Sequence, residues 1–330
     1  MTGLGRPLLG LALALAMTPP AVAAAASTPL TPEGSIELPS TAGRIDHLAV
    51  DVGRKHLFVA ELGNGTVDVI DLASRKVIHR ITGLKEPQGL AFVPGADVVA
   101  VASGGDGTLR LYAAADFAPR GVLKLGDDAD NVRLDGRSGN LVIGYGGGAL
   151  AIVDPVGLRK VRDIALPGHP ESFRLEGRKA FINIPDARQI ALADLDSGKI
   201  TGTWPTGKLA GNFPMILDDE DHVAVVFRSP ARLVLFDKNT GRVAADIETC
   251  GDADDVFFDA ARHVFYVSCG SGAIDVIGNG KDGLKSMTRV KTTWGTRTSL
   301  FVRELDRLFL AQRAGLLGDH ASVGIFRPAP

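Results

Sequence analysis

The sequence predicts an all-β fold: a seven-bladed β-propeller with four-stranded blades of about 42 residues, its ring closed by an N-terminal strand that completes the last blade. The first observation behind this is a repeated opening. "DHLAVD" (46–51), "QGLAFV" (88–93), "DNVRLD" (130–135), "ESFRLE" (171–176), "FPMILD" (213–218), "DDVFFD" (254–259) and "TSLFVR" (298–303) start 42, 42, 41, 42, 41 and 44 residues apart. A near-constant period of this length marks a repeat architecture. The second observation is the content of each unit: short apolar runs separated by Gly-rich or polar turns, which read as antiparallel strands with few helix-length periodic segments. The third is composition. Forty glycines against 6% aromatics supply tight turns, and 45% apolar residues over 330 positions suffice for a large core.

In chain order, residues 1–26 read as a secretory signal peptide: Arg6, the apolar run "LLGLALALAM", then "TPPAVAAAAS" with small residues suited to cleavage. The run is about half the length of a bilayer span, and no Cys lies near the cleavage region, so the expected product is a soluble periplasmic or secreted chain without a membrane span. Residues 27–33 are a short linker, and 34–330 form a single propeller domain. "GSIELPS" (34–40) has strand character and precedes the first full unit. Blade one shows all four strands, "HLAVD", "HLFVAEL", "GTVDVIDL" and "KVIHRIT", with turns "VGRK", "GNG" and "ASRK" between them. The seventh unit stops after its third strand, "SVGIFRPAP", so 34–40 is expected to supply its missing outer strand and remove an open sheet edge.

Runs such as "LFVAELGNGTVDVIDL", "EPQGLAFV" and "GTLRLY" resemble the YVTN-type seven-bladed propellers of bacterial periplasms, the group called YncE-like, over residues 34–330. The resemblance implies fold and export. It implies no activity, because the fold hosts unrelated functions. Lactonases and streptogramin lyases share the architecture, and no motif here belongs to either alone.

Lys and Arg number 36 against 38 Asp and Glu, a formal net charge of −2. That balance supplies no general field for nucleic acid or anionic lipid. The two cysteines, Cys250 and Cys269, stand in a chain expected to meet an oxidising compartment. A disulfide is the expectation and a pair of buried free thiols the alternative. A metal site of two cysteines lacks the second ligand pair it would need.

In a propeller the innermost strand of each blade lines the central channel, so the first residue of each opening belongs to one mouth. Those residues are Asp46, Gln88, Asp130, Glu171, Phe213, Asp254 and Thr298, four of them acidic. Two acid-rich stretches, "GDDADNVRLD" (126–135) and "GDADDVFFD" (251–259), put Asp128, Asp130 and Asn131 in register with Asp252, Asp254 and Asp255. They fall on blades three and six, about 154° apart in a seven-fold ring. Blades one and four add Asp46 and His47 against His169 and Glu171, and Asn212 lies beside the opening of blade five.

Carboxylates gathered in one concavity raise each other's pKa unless positive charge compensates. Arg297 and Arg228 are the internal candidates. A divalent cation held by Asp130 and Asp254, such as Ca, Mg or Mn, is the external one, and participation of His extends the choice to Zn. The competing reading is turn chemistry, because Asp before or after a strand often bonds its own backbone. That reading is favoured for Asp51, Asp135 and Asp259, and both stand for Asp46, Asp130 and Asp254. His47 and His169 equally suit hydrogen-bonded positions at blade junctions, and His320 lies in a long turn. Gly-rich "GYGGGAL" (144–150) is a turn between strands rather than a phosphate cradle, and "SGGDGT" (103–108) is a hairpin turn with a partial resemblance to a calcium loop. Trp204 and Trp294 are expected to pack between blades.

Three functions stay open. One is a monomeric binding or scaffold protein that recognises a small molecule, cation or exported protein at an acidic mouth. Another is a divalent-metal-dependent hydrolase or lyase at the same mouth, with His47, His169 or Glu171 moving protons. The last is an accessory to redox or metal handling, for which the chain carries no haem or quinone ligands of its own.

Overall fold

The structure, a computed structural model, describes residues 1–3, 29–315 and 320–329. Beyond its first three residues, the expected signal peptide lies outside the described residues. Seven four-stranded antiparallel sheets succeed one another along the chain. The inner strands are Leu48–Asp51, Pro87–Val93, Val132–Leu134, Phe173–Glu176, Ala210–Leu217, Ala253–Asp259 and Ser299–Val302, so each repeated opening falls on one. Among the described residues no helix is long and apolar enough to cross a membrane.

The middle strands of a blade are covered on both faces. In blade one, His56–Glu61 and Thr66–Asp71 bury nearly every side chain, while the outer strand Lys76–Ile81 is largely exposed. The core is therefore a circle of seven interfaces rather than one centre. Phe58, Val69, Leu90 and Tyr112 fill the space between blades one and two, and Phe181, Trp204, Phe227 and Phe236 that between four and five. Ile36, Leu57, Phe309 and Val323 join blade seven to blade one. Trp204 thus packs between blades. Trp294 does not: it is 72% exposed, with Arg313 Cζ 4.9 Å from its ring centre.

Blades one to six share a register shift between the third and fourth strands, for example at Val69/Ile70, Leu111/Tyr112 and Val276/Ile277. An extra residue there bends the strand and increases its twist, as wedge-shaped packing around an axis requires. Blade seven is completed by the N-terminal strand Leu30–Glu37, which pairs antiparallel with Ser322–Pro328 from Leu30↔Pro328 to Glu37↔Ser322. The strand begins at Leu30, so residues 30–33, expected as linker, belong to it. Leu30, Ile36 and Leu38 are buried, and Glu33 forms ion pairs with Arg307 and Arg327. Cys250 and Cys269 form a disulfide, Cα–Cα 5.9 Å, both buried, tying the approach to blade six's inner strand to the end of its second strand.

Candidate functional site at the channel mouth

Part of the repetition of acids is backbone chemistry. Two residues before the opening, blades two, three, five and six carry a positive φ: Glu86 (52°), Asp128 (41°), Gly211 (68°) and Asp252 (59°). Glycine and short polar residues tolerate that region best, and Asp128 and Asp252 hold turns that deliver Asp130 and Asp254 to the mouth. The carbonyls of Glu86, Asp128 and Asp252 accept from Gly104, Gly146 and Gly270 N–H at 2.9, 3.2 and 2.8 Å. At the opposite end of the inner strands, Asp51, Asp135 and Asp259 cap their own turns, accepting from the N–H of Arg54, Arg137 and Ala261.

The mouth itself gathers charges from most blades. Asp254 is clamped by two guanidinium groups: Arg228 Nη2 lies 2.6 Å from Oδ1 and Arg297 Nε 2.9 Å from Oδ2. Arg297 Nη1 also donates to both oxygens of Asp252, at 2.9 and 3.0 Å. Arg228 stacks on Phe213, Cζ 3.8 Å from the ring centre, which explains the one apolar member of the opening ring. Arg44 Nη2 reaches Asp46 at 2.9 Å. His47 Nε2 stands 3.9 Å from Asp46 Oδ1 and 3.8 Å from Asp130 Oδ1, beyond hydrogen-bond range. Asp130 Oδ1 is buried without a hydrogen-bond partner among the described residues. Asp128 meets Gln88 Nε2 at 3.4 Å and His169 Nδ1 at 3.7 Å, while His169 Nδ1–H donates to Gly146 O at 2.7 Å.

Burial dominates the proton affinities here. It pushes Asp130 well above the usual carboxylate range, helped by Asp46, Glu171 and Asp128. Asp46 is raised by burial against the pull of Arg44, and Asp254 by burial against Arg297 and Arg228. Glu171 rises to about 7, again through burial, with His169 opposing and Asp254 assisting. His47 falls to about 3 through burial and the nearby Arg133. A neutral imidazole so weakly basic is a poor general base.

Some expected residues take other places. Asn212 is fully buried between blades four and five, donating to Asn183 Oδ1 at 3.2 Å and Gln189 O at 3.1 Å, and does not face the mouth. Asn131 and Asp255 lie one layer down: Asn131 accepts from Arg133 at 2.9 Å, and Asp255 from Ser299 N–H at 2.7 Å. Asp130 and Asp254 do not share a three-ligand cluster. Among the described residues the cluster of that kind is Asp219, Glu220 and His263, all exposed. Both oxygens of Asp254 face arginines where a cation was expected.

Three arginines escaped the sequence reading: Arg44, Arg133 and Arg174. The last two occupy the fourth place of "DNVRLD" and "ESFRLE", a place apolar in the other five openings. Strand alternation puts second and fourth residues on one face, the channel face. Below the mouth the channel is a cavity of about 360 Å³ lined from every inner strand, with Ala49, Ala91, Arg133, Arg174, Ile216, Phe257 and Ser299 contributing one per blade.

No protein-family model matches the chain, and no curated protein matches it in sequence. Solved structures do match in shape. A chain of the mitotic checkpoint complex superposes with a TM-score of 0.76 at 13% identity, over 99% of this chain and 100% of that one. The hydrazine synthase of Kuenenia stuttgartiensis gives 0.72 at 13% identity, over 84% of this chain and 94% of that chain. At such identity the likeness concerns the propeller fold alone.

Proposed function

We propose that the chain is an exported, YVTN-type propeller whose work is binding: it holds a small ligand or cation at the channel mouth on a rigid ring. The observation that carries this reading is the convergence of Asp46, Asp130, Glu171 and Asp254 on one end of a channel that opens into a cavity. Arginines meet Asp46 and Asp254, while Asp130 has none in contact. A partner that brings positive charge to Asp130 would relieve the repulsion around it. Native mass spectrometry with elemental analysis of exported protein, and melting in Ca, Mg, Mn and Zn, tests the reading. Wild-type protein is expected to carry or be stabilised by a ligand that Asp130→Asn no longer holds. Sustained turnover of an ester or lactone, abolished by Glu171→Gln, would overturn it.

That outcome is the second reading, a hydrolase or lyase, and it has its own support. A carboxyl at about 7 can both give and take a proton at neutral pH. Its signature would be a rate profile with an inflection near pH 7 that Glu171→Gln removes.

A further inference from the structure

We infer that the channel below the mouth is an anion seat, in which Arg133 and Arg174 together hold the carboxylate of a small organic acid with a short apolar body. The two arginines stand at the same register on neighbouring blades, and both line the cavity of about 360 Å³. Their bonds go to neutral oxygens. Arg133 donates to Val132 O at 2.8 Å and Asn131 Oδ1 at 2.9 Å; Arg174 donates, through Nη1 only, to Ser172 Oγ at 3.2 Å and Phe173 O at 3.0 Å. Among the described residues neither has a carboxylate within ion-pair distance, whereas Arg228 and Arg297, one layer up, have two each.

Cations withdrawn from water are costly unless something answers their charge. Burial holds both guanidinium groups below their usual proton affinity, Arg174 the more so because Arg133 is beside it. Asp255 is the one carboxyl in the cavity lining; it acts on both guanidinium groups from beyond ion-pair distance and accepts from Ser299 N–H at 2.7 Å, so it pairs with neither. A carboxylate fits the donors, since the planar guanidinium fork matches its two oxygens. The remaining wall selects the rest of the ligand: Ala49, Ala91, Ile216 and Phe257 are apolar, and the volume lies in the range of small-molecule sites. The seat uses none of the mouth's acids, so it stands whether or not the mouth binds a ligand of its own.

Hexanoate is the probe, titrated by calorimetry and by thermal melting at constant ionic strength, with chloride and inorganic phosphate as comparators. Hexanoate is expected to raise the melting temperature saturably, beyond chloride and phosphate. Arg133→Met and Arg174→Met should each weaken it by about tenfold or more. No response beyond chloride, a preference for phosphate, or undiminished affinity in the folded variants would each overturn the assignment. Should the variants fail to fold, phenylglyoxal modification of wild-type protein decides: hexanoate should protect the peptides containing Arg133 and Arg174, and equal labelling with and without it would refute the seat.

Discussion

At Asp130, burial and the charges of Asp46, Glu171 and Asp128 all act in one direction, and no basic side chain other than the weakly basic His47 comes within 4 Å among the described residues. Asp130→Asn is therefore expected to stabilise the ligand-free protein at pH 7.5, by about 1 kcal/mol or 2–4 °C in melting temperature; a lower melting point would count against the repulsion. Glu171 makes the pH dependence explicit. Its folded pKa of about 7 lies above its ordinary 4.5, so the folded state binds this proton more tightly than the unfolded one. The stabilisation is full below about pH 4.5 and is lost as pH rises through 7. Melting temperature should fall between pH 5 and 8, and Glu171→Gln should flatten that slope. The acids were legible because register alone aligns them. Two of their partners were legible as well, since Arg297 and Arg228 flank the same mouth and both meet Asp254; Arg44 was not, because its contact with Asp46 lies outside the repeated openings. Arg133 and Arg174 were visible in two openings, yet stood where five other blades place apolar residues.

Within a blade, the openings were legible because their apolar alternation repeats at a nearly fixed distance, and each proved to be an inner strand. Strand ends were less so. Turns such as those at Lys55 and His263 adopt positive φ (57° and 52°) without glycine, so composition alone does not mark the reversal. Blade six adds a covalent tie. Its disulfide spans 19 residues, and Cys250 N–H also donates to buried Asp275 Oδ2 at 2.7 Å. Replacing both cysteines by serine should cost roughly 3 kcal/mol on the chain-entropy scale. Peptide mapping without reduction should recover Cys250 linked to Cys269, and two alkylatable thiols in native exported protein would contradict it.

A ring of seven wedges depends on its last contact, since each apolar cluster here is shared by two blades and the end blades have a neighbour only if the circle closes. That contact joins the first strand to the last: Leu30–Glu37 lies against Ser322–Pro328, and residues from both sit in the cluster between blades seven and one. The N-terminal strand therefore acts as a latch. Deleting residues 27–40 removes the buried side chains of Leu30, Ile36 and Leu38, each worth about 1.5–3 kcal/mol of burial, together with the Glu33 ion pairs to Arg307 and Arg327. It also bares the edge of Ser322–Pro328 to strand addition. The truncated protein should melt far below wild type and self-associate in sedimentation. A synthetic 27–40 peptide added in excess should bind that edge and recover much of the lost melting temperature. Wild-type melting of the truncated chain, or a peptide without effect on it, would show that the ring holds without its latch.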